Sequence, residues 1–174
     1  MNKYLVIGGV RSGKSRYAEQ LAQQHALSDG LNVVYVATAE AFDNEMTERI
    51  SHHKRSRPKH WQTIETGPEL AETLSKIDRQ AVILVDCLTV WLNNCLYYDA
   101  INWQLEKSQF LQWLETTEHT VIMVTNEVGF SITPDNSLAR QFADEQGRLN
   151  QAVAALASNV TFTIAGIPHA IKQH

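Results

Sequence analysis

The chain has 174 residues, of which 44% are hydrophobic and 20% charged, and this mixture predicts one globular domain, residues 1–174. The composition excludes collagen-like, low-complexity and disordered classes. Fifteen basic and 19 acidic side chains leave a net charge of −4, which disfavours a general binder of nucleic acid or of membrane surfaces.

The first half of the chain alternates short apolar runs with helical patterns. It contains predicted strands at residues 4–7 and 33–37, a helix at 14–27, and a further helix from Phe42 to Arg57. The apolar face of the first helix is predicted from Tyr17, Ala18, Leu21, Ala22 and Leu27.

The second half continues the alternation. The predicted elements are a short strand at 61–65, a helix at 68–77, a strand at 81–85, helices at 88–98 and 103–116, a strand at 120–124, a helix at 138–157 and a last strand at 160–164. Continuous apolar strands that alternate with helices predict an α/β fold, with a mostly parallel central sheet covered by helices on both faces. Residues 125–137 lack periodicity and form a predicted loop.

The cysteines and the first residues of the sequence indicate the cellular compartment in which the protein works. Cys87 and Cys95 flank an apolar stretch and are interpreted as buried free thiols in a reducing compartment. The start resembles no signal peptide, and no segment reaches the ~18 apolar residues of a membrane span. We therefore expect a soluble, cytoplasmic protein.

A glycine-rich motif lies between the first strand and the first helix. It matches G-x-x-x-x-G-K-[ST] and consists of Gly8, Gly9, Val10, Arg11, Ser12, Gly13, Lys14 and Ser15. Backbone N–H groups of such a loop bind phosphates at a helix N-terminus. Lys14 is expected to reach the β and γ phosphates of a nucleotide, and the Ser15 hydroxyl to hold Mg²⁺.

A second acidic magnesium ligand is expected at the end of a neighbouring strand. Asp86 closes the run AVILVD and fits this position, although an acidic residue there can also be only a helix cap. These features do not separate a kinase, an ATPase, a GTPase and a nucleotide sensor.

A cationic segment in this acidic chain suggests a second kind of chemistry, in which a histidine attacks phosphorus. Five of the 15 basic residues fall between Arg49 and Lys59, with His52, His53 and His60. His53 lies on the apolar stripe of its predicted helix, whereas His52 lies on the polar face. Cations keep an imidazole neutral, and a neutral imidazole can attack phosphorus, so His52 is the predicted nucleophile. A solvated basic face is the alternative.

Taken together, these motifs resemble one family over nearly the whole chain. The matching segments are GGVRSGKS, VYVATAEAFDNEMTERISHHKRSRPKHWQTIE, VDCLTVWLNNCL, VTNEVGFSITPDNSLARQFADEQGRLNQ and AGIP. The sequence resembles the bifunctional adenosylcobinamide kinase/adenosylcobinamide-phosphate guanylyltransferase family of cobalamin biosynthesis. The resemblance implies a P-loop NTPase fold of the RecA-like type, phosphorylation of adenosylcobinamide by ATP or GTP, and transfer of GMP from GTP to the resulting phosphate.

The resemblance also assigns roles by position. It implies that His52 carries GMP as a phosphoramidate and that Mg²⁺ is held by Ser15 and Asp86. The implied nucleotide contacts, besides Gly8 to Ser15, are Ala37, Thr38, Ala39, His53, Lys54, Arg55, Ser56, Glu65 and Asp86. Asn126, Glu127, Arg140, Arg148 and Asn150 are implied to lie near the active site or near subunit contacts of a homotrimer.

The sequence departs from the pattern of this family at two positions. Two other functions also stay open and are given below. Many relatives have glycine at the position of Ser131 and arginine at that of Ala143, which bears on substrate positioning. The alternatives are a simple P-loop small-molecule kinase and a non-catalytic nucleotide-binding regulatory subunit. Aromatic residues such as Trp91, Trp103 and Trp113 either fill the core or form an interface.

Overall fold

The computed structural model describes residues 2–40, 48, 58–77, 79–98 and 100–173. Its strands are β1 (Lys3–Gly8), β2 (Val33–Ala37), β3 (Gln62–Glu65), β4 (Val82–Asp86), β5 (Thr120–Asn126), β6 (Asn159–Ile164) and β7 (Ile167–Lys172). Its helices are α1 (Lys14–Asp29), α2 (Leu70–Ser75), α3 (Leu88–Tyr97), α4 (Trp103–Thr116) and α5 (Ser137–Leu156). The helix predicted from Phe42 lies outside the described residues, apart from Glu48.

The strands form one sheet in the order β3-β2-β4-β5-β1-β6-β7. Every pairing is parallel except that of β7, which runs antiparallel to β6. The mostly parallel sheet is as predicted, and the strand predicted at 160–164 is present as β6. Its predicted place as the last strand is wrong, because β7 follows it. β7 was missed because it is an exposed edge strand that contains Pro168, and such a strand lacks a buried apolar run.

Helices cover both faces of the sheet. One face packs on α1, where Ala18, Ala22 and Ala26 form a buried stripe against Val6 and Tyr35. Leu27, which was predicted to share this face, is instead 75% exposed, because the buried positions repeat at intervals of four and exclude it. The small alanine side chains let the helix approach the strands closely.

The opposite face carries the larger core. Leu5, Ile83 and Val121 of the sheet pack there with Leu70 of α2, Leu88 of α3, Phe110 of α4 and Leu149 of α5. Trp91 and Trp103 belong to this core, with ring centroids 5.2 Å apart, so these two residues fill the interior. Tyr97, by contrast, is 66% exposed. Cys87 and Cys95 are buried free thiols, as predicted. In the part of the chain that the structure describes, no helix has both the length and the apolar character to cross a membrane.

Candidate functional site: a phosphate-binding loop at the carboxyl edge of the sheet

The glycine-rich loop joins β1 to α1 as the motif predicts. Gly13 caps the helix with a φ of 90°, a conformation that favours glycine. The turn is closed by the Ser12 N–H, which donates to the Gly9 carbonyl at 3.3 Å, and by the Tyr17 N–H, which donates to the Gly13 carbonyl at 3.1 Å. The N-terminus of the 16-residue α1 therefore begins at Lys14, directly after the loop, and its partial positive charge favours an anion there.

Lys14 lies across this loop. Its Nζ donates a hydrogen bond to the Gly9 carbonyl at 2.9 Å. Burial lowers the pKa of Lys14 from its ordinary value, while Cys87 and Asp86 act in the opposite direction. A partly desolvated ammonium whose neighbours include one carboxylate can gain from a bound phosphate, because the phosphate supplies more negative charge.

Asp86 lies at the same edge of the sheet, but one strand further from the loop than predicted. The order β4-β5-β1 places β5 between the strand of Asp86 and the strand that leads into the loop, so the expectation of a neighbouring strand is wrong. Two strand spacings of about 4.8 Å put β4 and β1 about 10 Å apart. A phosphate group and a cation bound at the edge of the sheet can span this distance. Tyr35 donates its hydroxyl to Asp86 Oδ2 at 2.8 Å and so holds the carboxylate in place.

The donor set at this edge suits Mg²⁺. Ser15, in the first turn of α1, supplies a hydroxyl oxygen, and Asp86 supplies a carboxylate. Mg²⁺ prefers such oxygen ligands and is usually held by one or two carboxylates together with substrate phosphates. No group of three or more histidine, cysteine, aspartate or glutamate side chains that could hold a metal occurs in the described ranges. The predicted site needs only one carboxylate, so it fits this composition.

The ends of β2, β3 and β4 bring other predicted contacts to the same edge. Ala37 is level with Glu65 on one side and with Asp86 on the other. Thr38 is fully buried, and its hydroxyl donates to the Cys87 carbonyl at 2.8 Å and accepts from the Cys87 N–H at 2.9 Å. The Thr38 side chain therefore joins the ends of β2 and β4, and its nucleotide contact stays a prediction.

The predicted nucleophile and its neighbours lie outside the described residues. These residues are His52, His53, Lys54, Arg55 and Ser56. Arg11, a residue of the predicted glycine-rich motif, is exposed and has a φ of 55°. The arginine side chain is thus carried by a left-handed backbone position at the rim of the loop.

The end of β5 lies beside the loop. Asn126 is level with Gly8, and the Glu127 N–H donates to the Gly8 carbonyl at 3.1 Å. Asn150 donates its amide to the Asn126 carbonyl at 3.0 Å, and the Asn126 N–H donates to the Thr89 hydroxyl at 2.7 Å. Within the described residues the buried Asn126 Oδ1 has no hydrogen-bond partner. Asn126 and Glu127 are thereby placed near the loop.

The two arginines of the following segment make contacts within the chain. Arg140 donates to the carbonyls of Pro134 at 2.9 Å and Asp135 at 2.7 Å, and Arg148 forms an ion pair with Glu145. Ser131 does not adopt positive φ, and its hydroxyl donates to the Val128 carbonyl at 3.2 Å. The backbone at Ser131 therefore does not require glycine.

Sequence reasoning missed a contact between the loop and the β6–β7 hairpin. The Gly166 N–H donates to the Ser12 carbonyl at 2.9 Å, and the hydroxyls of Ser12 and Thr163 lie 3.1 Å apart. Ala165-Gly166 could have signalled a turn, but no local pattern reveals a contact between residues 151 positions apart.

A strand, a glycine loop and a helix that carries lysine and serine define a P-loop NTPase, and similar solved structures show the same fold. Flagellar accessory protein FlaH from Methanocaldococcus jannaschii is similar over 99% of this chain and 79% of its own, with a TM-score of 0.57 and 14% identity. A KaiC-like protein from the hyperthermophilic archaeon Pyrococcus horikoshii is similar over 92% of this chain and 70% of its own, with a TM-score of 0.50 and 14% identity. The predicted P-loop NTPase fold is confirmed.

Sequence comparison defines the family. The family described as cobinamide kinase / cobinamide phosphate guanyltransferase matches residues 4–171, and the chain belongs to it. The bifunctional adenosylcobalamin biosynthesis protein CobP of Pseudomonas aeruginosa is 44% identical over 97% of this chain and 96% of its own length. The bifunctional adenosylcobalamin biosynthesis protein CobU of Escherichia coli K12 is 38% identical over 97% of this chain and 98% of its own length. The predicted family is confirmed.

Proposed function

We propose that this chain carries both activities of its family, phosphorylating adenosylcobinamide with ATP or GTP and then attaching GMP to the phosphate. The observation that carries the proposal is the arrangement of Lys14, the loop and Asp86 at one sheet edge, in a chain that matches the family from residue 4 to residue 171. The products of the second reaction are adenosyl-GDP-cobinamide and pyrophosphate.

In the kinase step the loop holds the β and γ phosphates. The aminopropanol hydroxyl of adenosylcobinamide gives its proton to water and bonds to the γ phosphorus, while the bond from γ phosphorus to the β-phosphate oxygen breaks. Lys14 stabilises the negative charge on the transferring group, because its ammonium is held at the loop before the substrate arrives. The nucleoside diphosphate leaves.

In the guanylylation step His52 acts as the nucleophile. Its neutral imidazole nitrogen bonds to the α phosphorus of GTP, and the bond to the β-phosphate oxygen breaks, which releases pyrophosphate. A phosphate oxygen of adenosylcobinamide phosphate then bonds to the same phosphorus, and the P–N bond breaks. Arg11 and Lys54 are the candidates that neutralise the α phosphate.

Ser15 and Asp86 are proposed to hold Mg²⁺ with the nucleotide phosphates, and the bound ion would neutralise charge on the phosphates. Replacing Asp86 with asparagine removes the charged ligand and keeps an acceptor for the Tyr35 hydroxyl. We expect Asp86→Asn to raise the Mg²⁺ concentration required for half-maximal activity about tenfold or more, since a charged ligand is lost. A magnesium titration at saturating GTP measures this change, and an unchanged requirement would remove Asp86 from the metal site.

The test of function follows the two phosphorus atoms separately. The purified protein is incubated with Mg²⁺ and GTP labelled at the α or the γ position, with and without adenosylcobinamide. We expect acid-labile, base-stable protein label from the α position only, and γ label on adenosylcobinamide. His52→Ala should lose the protein label and keep γ transfer, whereas Lys14→Gln should lose both.

The His60→Ala variant is the matched control, because it removes an exposed imidazole of the same cationic segment that is not among the predicted nucleotide contacts. It should keep the protein label. Transfer of γ label alone in the unaltered protein would indicate a simple P-loop kinase. GTP binding with no transfer of either label would indicate a regulatory subunit, and both results would overturn the proposal.

We also propose a homotrimer that works in the cytoplasm. Exposed apolar side chains on β6, β7 and the loop after β5 support association between copies, since single chains rarely expose such groups together. They include Phe130, Ile132, Ile164, Ile167 and Ile171. Sedimentation should give three times the chain mass, and Ile167→Ser with Ile171→Ser should reduce it. Buried thiols at positions 87 and 95 are compatible with a reducing compartment.

A further inference from the structure

The P-loop is supported by a tight hairpin on its outer side. The two residues between β6 and β7, Ala165 and Gly166, have φ values of 51° and 80°. Positive φ at both positions is typical of the type I′ turn that joins two antiparallel strands. Gly13 of the loop packs directly on this turn, because a Cβ built on Gly13 would lie 3.0 Å from the Gly166 Cα.

A chain of three hydroxyl and carbonyl groups connects β6 to the loop. The Thr163 hydroxyl donates to the Ile7 carbonyl at 3.3 Å, so the Ser12 hydroxyl, 3.1 Å away, donates to Thr163. Thr163 is 1% exposed and Ser12 is 8% exposed, so water does not compete for these bonds. Ser12 is thereby held by its side chain.

Ser12 is held by its backbone as well. The Gly166 N–H donates to the Ser12 carbonyl at 2.9 Å. The peptide bond between Ser12 and Gly13 is planar and trans, so its carbonyl and its N–H point in opposite directions. Because the Ser12 carbonyl points to the hairpin, the Gly13 N–H points away from it.

We infer that Thr163 and the Ala165–Gly166 turn are positioning elements for the P-loop, which keep its backbone N–H groups in the orientation that binds the polyphosphate of a nucleotide. They act through Ser12 and Gly13 and do not contact the reacting atoms. The inference rests on the proposed nucleotide binding at the loop. It is tested by binding alone, so that it fails separately from the transfer reactions.

The first experiment removes the Thr163 hydroxyl. Thr163→Val keeps the shape of the side chain, and Thr161→Val, on the same face two residues earlier and also buried, is the matched control. Calorimetric titration with Mg·GTP and with tripolyphosphate should show about tenfold weaker binding for Thr163→Val, and binding within about twofold of the unaltered protein for Thr161→Val and Thr163→Ser. Thr163→Val should lose more thermal stability than Thr161→Val, because it removes two buried hydrogen bonds, so binding is measured well below the unfolding midpoint of both variants. Equal binding by the two valine variants would overturn the inference.

A double variant tests whether Thr163 acts through Ser12. Ser12→Ala removes the other end of the same hydrogen bond, so Ser12→Ala with Thr163→Val should bind no more than about twofold more weakly than the worse single variant. If the losses of binding in the two single variants multiplied in the double variant, Thr163 and Ser12 would act independently. That result would contradict the proposal that Thr163 acts through Ser12.

The turn itself is tested with a pair of glycines. Gly166 and Gly30 both have positive φ, 80° and 66°, and a Cβ on either meets no atom within 4 Å. Gly166→Ala and Gly30→Ala should therefore introduce similar strain, the second at the far end of α1. Only Gly166→Ala should weaken tripolyphosphate binding, by about threefold or more. Equal binding by both variants would show that the turn does not position the loop.

Discussion

Two polar regions of this molecule each combine a carboxylate with at least one cation, but only in one of them do the side chains satisfy each other's charge. Glu145 is buried between α4 and α5 and accepts hydrogen bonds from Trp103 Nε1 at 2.7 Å, Lys107 Nζ at 3.3 Å and Arg148. At the sheet edge, Lys14 instead donates to a loop carbonyl and Asp86 accepts from a tyrosine hydroxyl. The first region is complete without a ligand, while the second retains charge that a bound phosphate and cation can use.

Similar residue types serve different purposes in the two regions. Burial alone would raise the pKa of Glu145, but hydrogen bonds from Trp103, Arg148 and Lys107 outweigh it and lower that pKa to about 2. A carboxylate with this many donors stabilises the fold. Lys14 has a lowered pKa because burial dominates over its two neighbours, which leaves it short of negative charge. We expect substitutions at the two regions to separate stability from activity.

The largest effect is expected at the loop. Lys14→Gln removes the ammonium and keeps most of the stem, and we expect both transfer reactions to fall by roughly 10²- to 10³-fold, the effect of losing one preorganised group that stabilises transferring charge. The unfolding midpoint should change by no more than about 3 °C, since the lost bond joins a side chain to a loop carbonyl. Initial rates and thermal unfolding of the same sample measure both. A large loss of stability with retained activity would show that Lys14 serves the fold and not the reaction.

A smaller effect is expected where Glu145 of α5 contacts α4, a contact called the helix pair below. This effect is on stability and not on activity. Glu145→Gln removes the charge that Lys107 and Arg148 face, and losing hydrogen bonds to a charged group costs about 1.5–3 kcal/mol. At about 2–4 °C per kcal/mol for a chain of this size, the midpoint should fall by about 3–12 °C. Transfer rates per folded molecule should be unchanged.

The control for Glu145→Gln is Asp144→Asn, which makes the same change of charge at the exposed neighbouring position of α5. It should shift the midpoint by about 2 °C at most, because surface charges contribute little. Equal shifts in the two variants would mean that the hydrogen bonds of Glu145 do not stabilise the helix pair.

The pH dependence of stability gives a third and finer distinction. The pKa of Glu145 is about 2 in the folded chain, against an ordinary value of 4.5. As the pH falls, the unfolded chain binds this proton first, so the stabilisation is complete above about pH 4.5 and is lost between there and about pH 2. The difference in unfolding free energy between the unaltered protein and Glu145→Gln should shrink over this interval. A difference that stays constant with pH would assign the effect to packing instead of charge.

The loop was predictable from sequence and its supports were not. Gly8 to Ser15 form a local motif between a strand and a helix, and each part is visible within 15 residues of sequence. Asp86 was recognisable because it closes a buried strand, although the intervening β5 depends on strand order, which no local pattern fixes. Thr163 and Gly166 contact the loop only through the pairing of β6 with β1 and with β7. Glu145 was missed because its donors Trp103 and Lys107 come from another helix.

The smallest effect is expected where the fold supports the site through one hydrogen bond. Tyr35 is 1% exposed, and its hydroxyl donates to Asp86 Oδ2 at 2.8 Å. Tyr35→Phe keeps the ring in the core and removes this donor, at a cost of about 1 kcal/mol, which corresponds to roughly fivefold. We expect the KM for Mg·GTP to rise about fivefold with an almost unchanged kcat, because Asp86 would be less firmly held but still present.

Steady-state kinetics of Tyr35→Phe beside Tyr17→Phe, a half-buried tyrosine of α1, check this expectation. A loss as large as that of Lys14→Gln would mean that Tyr35 takes part in the chemistry itself. Unchanged kinetics would mean that the orientation of Asp86 does not limit binding. The expected fivefold rise in KM would show that a single hydrogen bond from the core makes a small contribution to nucleotide binding at this edge of the sheet. The ammonium of Lys14, by contrast, makes a large contribution to the transfer reactions.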